Sequence, residues 1–262
     1  MYNFSAGPAQ LPPEVLLKAK EEFLDWQGSG MSVMEMPFTS EEFTAITTKT
    51  TQDLAQLINL PDNYNILFLQ GGATGQFAGI PQNILRGNDK ACYVNTGAWS
   101  AKAIKEAKNH CNVIVSADAK PSSFTDIPDY ADWNVDESAA YLHYTDNETI
   151  HGVEFQDIPS FGDLPLVCDM SSNILSRAVD ISKFGIVYAG SQKNMGPAGV
   201  TIVIVRDDLI GQADSKIASV FDYEQQAKND SMLNTPATYN WYLVGLVLKW
   251  VKESGGIAAK EQ

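Results

Sequence analysis

Basic residues are scarce in this 262-residue sequence: 18 Lys and Arg stand against 32 Asp and Glu, a formal net charge of −14. So acidic an exterior repels nucleic-acid phosphates and anionic membrane surfaces, and it points instead to a small molecule or a second copy of the chain as partner. Cysteine is also rare. Cys92, Cys111 and Cys168 are odd in number, far apart and without metal-ligand spacing, so buried free thiols in a reducing cytosol are expected and no metal site is. The sequence lacks a basic leader followed by an apolar stretch, and it lacks any apolar run long enough to span a membrane, which makes a cytoplasmic protein the expectation. No internal repeat, low-complexity tract or charged linker interrupts it.

With 44% hydrophobic and 19% charged positions, the chain can bury a large core, enough for one sizeable α/β domain or one and a half. Seven short runs rich in β-branched and aromatic residues predict strands at 65–69, 91–94, 113–115, 140–144, 166–168, 185–189 and 200–205. Runs such as Ile202-Val203-Ile204-Val205 are apolar at consecutive positions, the pattern of strands covered by helices on both faces. A first helix is predicted from Pro12-Pro13-Glu14 towards Trp26, ended by Gly28-Ser29-Gly30. From Thr238 to Lys252, apolar residues recur at three- and four-residue spacing from Tyr239 to Val251, predicting a helix that packs on something.

Ligands of such sheets bind where strands end, so the residues just past each predicted strand are the candidates for chemistry. After Leu67-Phe68-Leu69 comes Gly71-Gly72-Ala73-Thr74-Gly75-Gln76, where small residues and a helix start offer backbone amides to a phosphate. It is neither a Walker loop nor a dinucleotide fingerprint, and a glycine pair after a strand is more often a tight turn. Asp169 comes directly after Leu166-Val167-Cys168; it could meet a protonated ligand nitrogen or simply cap a turn. Lys193, in Ser191-Gln192-Lys193-Asn194 after another strand, could be a partly desolvated Schiff-base nucleophile or a solvated surface charge. Trp99 comes after a fourth strand and is either a ring cover or a core residue. Together, a phosphate cup, a carboxylate, a lysine and an aromatic platform match what pyridoxal 5′-phosphate (PLP) requires of its protein.

The sequence also resembles a known family. Asn3-Phe4-Ser5-Ala6-Gly7-Pro8-Ala9, Met31-Ser32-Val33-Met34-Glu35-Met36, the Gly71 to Phe77 loop, Asn147-Glu148-Thr149-Ile150-His151-Gly152, the Asp169 to Arg177 run, Gln192-Lys193-Asn194 and Asn234-Thr235-Pro236 are similar, in order, to the phosphoserine aminotransferases, class V enzymes of PLP fold type I. The resemblance implies a large α/β domain with a mainly parallel seven-stranded sheet covered by helices. It implies that Lys193 holds PLP, Asp169 pairs with its pyridinium, Trp99 stacks on the ring and Thr149 bonds the phenolic oxygen. Ala73, Thr74 and Gln192 would hold the phosphate, with Asn234 and Thr235 reaching over from a second subunit of a homodimer. Lys193 and Asp169 are the implied catalytic residues. The implied reaction, a step of serine biosynthesis, moves an amino group between glutamate and 3-phosphohydroxypyruvate, giving phosphoserine and 2-oxoglutarate.

The sequence departs from that pattern in two places. After Glu35 and Met36 the family has Ser-His-Arg, whose basic pair contacts the substrate's anionic end, where this chain has Pro37-Phe38-Thr39. Family members also continue into a C-terminal small domain bearing an arginine for the substrate carboxylate, and this sequence stops at Gln262. The expected organisation is an N-terminal substrate-site segment at 1–13, a PLP-binding large domain at 14–237 and a helix at 238–262 leading to the absent small domain. That helix is expected to leave part of its apolar face bare. The alternative to an active transaminase is a catalytically impaired, dimer-forming remnant that still binds PLP. A cysteine desulfurase is disfavoured because no cysteine comes after Cys168.

Overall fold

The computed structural model describes residue 3 and residues 5–261; Met1, Tyr2 and Phe4 of the N-terminal motif and the final Gln262 lie outside the described residues. All seven predicted strands form, and they join one sheet. In chain order the elements are α1 (Pro13–Glu21), α2 (Glu41–Leu57), β1 (Tyr64–Leu69), α3 (Gly72–Ile84), β2 (Lys90–Asn95), α4 (Ala98–Ala107) and β3 (Asn112–Asp118). Next come β4 (Leu142–Thr145), the short pair β5 (Asn147–Glu148) and β6 (Val153–Glu154), β7 (Leu166–Asp169), β8 (Ile186–Gly190), β9 (Thr201–Arg206), α5 (Tyr223–Lys228) and α6 (Thr238–Glu253). The sheet order is β1-β9-β8-β7-β4-β2-β3, with β5 and β6 as a separate antiparallel hairpin. Only β9 runs against its neighbours, β1 and β8. The remaining pairings are parallel, so every strand of the sheet except β9 ends at one edge.

Alternation along each strand sends side chains to two apolar layers. On one face Phe68, Val94, Leu142, Cys168, Ile202 and Ile204 pack towards α2 and α6; on the other Leu67, Tyr93, Val167, Tyr188 and Val203 pack towards α3, α4 and α5. Trp241 of α6 stacks on Phe68 with ring centroids 4.4 Å apart and meets Phe43 of α2 edge-on. The two helices approach closely because position 245 is glycine: a Cβ there would lie 2.5 Å from Thr50 Oγ1. Ser40 caps α2 by accepting from the Phe43 amide.

Three expectations need correcting or narrowing. The first helix ends at Glu21, not near Trp26. Burial pins the Glu22 carboxylate to the Tyr242 hydroxyl, which donates at 2.6 Å, and beyond it the Asp25 carboxylate accepts from the Gly30 amide while the Trp26 amide bonds the Met31 carbonyl. These local bonds compete with helix propagation. Second, α6 buries most but not all of its apolar face, with Tyr239, Leu246 and Trp250 only half-buried. Trp241, Tyr242, Leu243, Val244, Val247, Leu248 and Val251 are buried, because α1 and α2 both lie against it; the exposed large apolar residues include Leu16, Leu17, Phe23 and Leu24, the last 80% exposed. Third, Cys92 and Cys168 are buried free thiols, but Cys111 is only half-buried. No helix among the described residues is long and apolar enough to cross a membrane.

Candidate active site

The sheet edge where the parallel strands end gathers the chemistry. A small cavity there is lined by Ala73, Trp99, Asp169, Gln192 and Lys193, together with Thr145, Asn147, Ser171 and Ser172. Roomier clefts exist elsewhere, the one between α1, α2 and α6 among them, but its acids are already paired: Asp53 with Lys49 and Lys252, and Glu22 with Lys18 and Tyr242. A satisfied ion pair at a helix junction is structural support rather than reactive chemistry.

Each side of the cavity arises from local sequence. After β1, Gly71 and Gly72 adopt left-handed conformations (φ 96° and 64°), which glycine reaches without steric penalty. They turn the chain so that α3 starts at the sheet edge with no side chain capping its amides. An uncapped helix N-terminus is an anion site by backbone donors and dipole. Ala73 lines the cavity there; Thr74 sits beside it in the first helical turn and is exposed.

Asp169 ends β7 and is 4% exposed. Its Oδ1 accepts from both the amide (2.9 Å) and the hydroxyl (2.6 Å) of Ser171, and the Ser171 hydroxyl in turn accepts from the Gly190 amide at the end of β8. Burial pushes the Asp169 carboxyl above its ordinary range, against the Ser171 hydrogen bonds and the Lys193 charge that pull it down. A buried carboxylate aimed at a cavity is poised to hold a cationic ligand atom.

Lys193 lies just beyond β8. Its amine donates to Thr149 Oγ1 at 2.7 Å and lies 5.4 Å from the centre of the Trp99 ring. Burial lowers its pKa, opposed by the charges of Asp169 and Glu148, so more of the nucleophilic free amine is present near neutrality than on a surface lysine. Asn194 steadies the loop by donating to the carbonyls of Ser172 and Ile174. The N-terminal segment crosses behind it: the Ala9 amide bonds the Gln192 carbonyl, and a Cβ at Gly7 would stand 3.2 Å from Lys193 Cγ.

Asn234 and Thr235 do not line the cavity within one chain. They occupy the loop before α6, where the Thr235 carbonyl accepts from Asn234 and, at 3.4 Å, from Gln70. Pro37, Phe38 and Thr39, just before α2, do not line it either. The sequence assigns no role to Thr145, Asn147, Ser171 and Ser172, although the last three lie in the quoted motifs, two or three residues from Thr149 or Asp169. It likewise assigns none to Glu148, whose partners lie 48 and 49 residues away.

The residues present suit PLP. The cavity wall carries a buried hydroxyl, Thr145 Oγ1, and a buried indole N–H, Trp99 Nε1, that have no partner among the described residues, and such groups are ordinarily satisfied. Beside them stand an uncapped helix N-terminus, a buried carboxylate, a flat indole and a desolvated lysine, complementary to a phosphate, a ring nitrogen, an aromatic plane and an aldehyde.

Comparison with known proteins gives the same direction. The family model for aminotransferase class-V matches residues 1–262. The chain is 55% identical over 261 residues to the phosphoserine aminotransferase of Pseudomonas putida, covering 100% of this chain and 72% of that relative. It superimposes on the phosphoserine aminotransferase of Bacillus circulans subsp. alkalophilus with a TM-score of 0.97 at 46% identity, again covering 100% of this chain and 72% of the other. The PLP-bound phosphoserine aminotransferase of Trichomonas vaginalis gives 0.94 at 40%, covering 99% and 73%. Sheet order, strand-end chemistry and these likenesses agree: the chain belongs to the class-V aminotransferases, within the phosphoserine aminotransferase family.

Proposed function

We propose that this chain binds PLP through Lys193 and transfers an amino group between glutamate and 3-phosphohydroxypyruvate, as a cytoplasmic homodimer. The observation that carries the reading is the meeting of Lys193, Thr149, Asp169 and Trp99 at one sheet edge, with the Lys193 amine 2.7 Å from Thr149. Bound there, PLP would supply an aldehyde that bonds amines and a ring that accepts electrons. Lys193 would hold that aldehyde and would take and return the proton at the substrate α-carbon; its lowered pKa suits a group that must act as both base and acid. Asp169 would hold the ring nitrogen's proton, fixed for that purpose by Ser171. Trp99 would cover the ring plane, and Thr149 would bond the phenolic oxygen. Ala73, Thr74 and Gln192 would hold the phosphate. Asn234 and Thr235, on a partly exposed loop, would complete the phosphate site of the partner subunit. The N-terminal stretch 1–13, the large domain 14–237 and the segment 238–262 divide the labour accordingly.

The test is the visible absorption of purified chain with PLP, before and after excess glutamate, beside Lys193→Ala. A lysine-dependent band that glutamate shifts is expected. A lysine-dependent band that glutamate leaves unchanged would limit the function to cofactor binding, and no band would overturn the reading.

A further inference from the structure

Two helices point their N-termini at the candidate site, and only one of them is open. The amides of α3 have no capping side chain, whereas those of α4 are plugged by a carboxylate from across the pocket. Glu148 is 0% exposed; its Oε2 accepts from the Trp99 amide at 2.9 Å and its Oε1 from the Ser100 amide at 2.7 Å. Its backbone carbonyl meanwhile accepts from His151 and Gly152 and so closes the hairpin turn, in which Thr149 is the next residue and the acceptor for Lys193.

We infer that Glu148 is a positioning residue that clamps the Trp99 platform to the Thr149 turn, setting the width of the cofactor slot, and that Gly97 exists to admit it. This rests on the PLP reading of the site. A buried carboxylate is held at a helix N-terminus by amide donors and the helix dipole, and Glu148 spends both oxygens on the residues that orient the indole. Gly97 adopts φ 167°, an extended conformation open to any residue, so its glycine is not there for backbone freedom. A Cβ at position 97 would lie 2.6 Å from Glu148 Cδ and 2.7 Å from Oε2; the missing side chain is the space the carboxylate needs. The Ser100 hydroxyl accepts only from the Thr96 and Gly97 amides, which precede the helix, so the first-turn amides of Trp99 and Ser100 are left to a carboxylate brought from 48 residues away rather than to a local side chain. Glu148 is thus both the cap of α4 and a connection from it to the Thr149 turn. Its charge also opposes the loss of a proton from Lys193 and Asp169.

The experiment compares wild type, Glu148→Gln, Glu148→Ala, Gly97→Ala and the double variant Gly97→Ala/Glu148→Ala. The readouts are the dissociation constant for PLP, the induced circular dichroism of its visible band, and thermal unfolding without cofactor. Glu148→Gln keeps the shape but offers one acceptor to two amides, so PLP binding is expected to weaken about tenfold or more with a smaller dichroic band. Gly97→Ala should do the same while leaving the carboxylate in the chain. In the Glu148→Ala background, Gly97→Ala should add little further loss, because nothing remains to collide with. A folded Glu148→Gln protein with unchanged PLP affinity and dichroism, or additive effects of the two substitutions, would overturn this inference alone. A wild-type chain without any cofactor band would overturn the PLP reading and this one with it.

Discussion

The middle of the sheet and its carboxyl edge are built from the same strands and yet treat charge in opposite ways. Midway along β4, β7 and β8 the buried residues are Leu142, Val167, Cys168, Val187 and Ala189, with Tyr188 and His143 bonded to each other at 2.8 Å. Burial drives the His143 pKa down to about 3, so this polar pair is neutral at any physiological pH. At and just beyond the ends of these strands, burial is imposed on Asp169 at the end of β7, on Glu148 in the hairpin after β4 and, in part, on Lys193 in the loop after β8. Stability is gained where charge is excluded, and reactivity is stored where charge is enclosed. The chain tolerates the second because the first is extensive.

That contrast can be broken most severely at Lys193. Lys193→Ala is expected to abolish the visible cofactor band and to lower amino transfer by about a thousandfold or more, while thermal unfolding of the cofactor-free protein stays at or slightly above the wild-type temperature. Asp169→Asn comes next. Amino transfer should fall by about a hundredfold or more, yet the cofactor-free protein should gain stability near neutrality. The sign comes from the raised pKa. A carboxyl whose folded pKa lies above its unfolded value loses stability as pH climbs from the unfolded value through the folded one. The gap between variant and wild type should therefore be small in acid, below both values, and widen to a plateau above the raised pKa; urea titrations across that range measure it.

The middle of the sheet should answer in the other currency. Ile204→Ala, at a fully buried position, is expected to destabilise by about 2–5 kcal/mol while leaving PLP affinity unchanged in the folded fraction. Smallest is Tyr93→Phe. It removes the 2.7 Å bond to the Tyr141 hydroxyl and should destabilise by about 1 kcal/mol, seen as a shift in the urea midpoint with no change in the cofactor spectrum. A mid-sheet substitution that altered the spectrum without unfolding the protein would show that the two environments are coupled.

Much of this molecule was legible before it folded. Strands such as Thr201–Arg206 and Leu166–Asp169 announce themselves because burial on both faces demands consecutive apolar residues. Lys193, Asp169 and Trp99 were legible because each stands at the end of such a strand. The helix predicted from Pro12 towards Trp26 stops at Glu21: the pattern continues past that residue, while the bonds that turn the chain, Gly30 amide to Asp25 and Trp26 amide to the Met31 carbonyl, leave no mark on periodicity.

By itself, then, the sequence determined the strands, the strand-end residues that carry chemistry and the family to which the chain belongs, because periodicity and motif act over a few residues. The tertiary structure alone decided which strand ends meet. The order β1-β9-β8-β7-β4-β2-β3 brings Ala73, Asp169 and Lys193 to one cavity and carries Glu148 to the start of α4. Those juxtapositions, and the burial that shifts the proton affinities of Asp169 and Lys193, arise from packing between segments far apart in the chain.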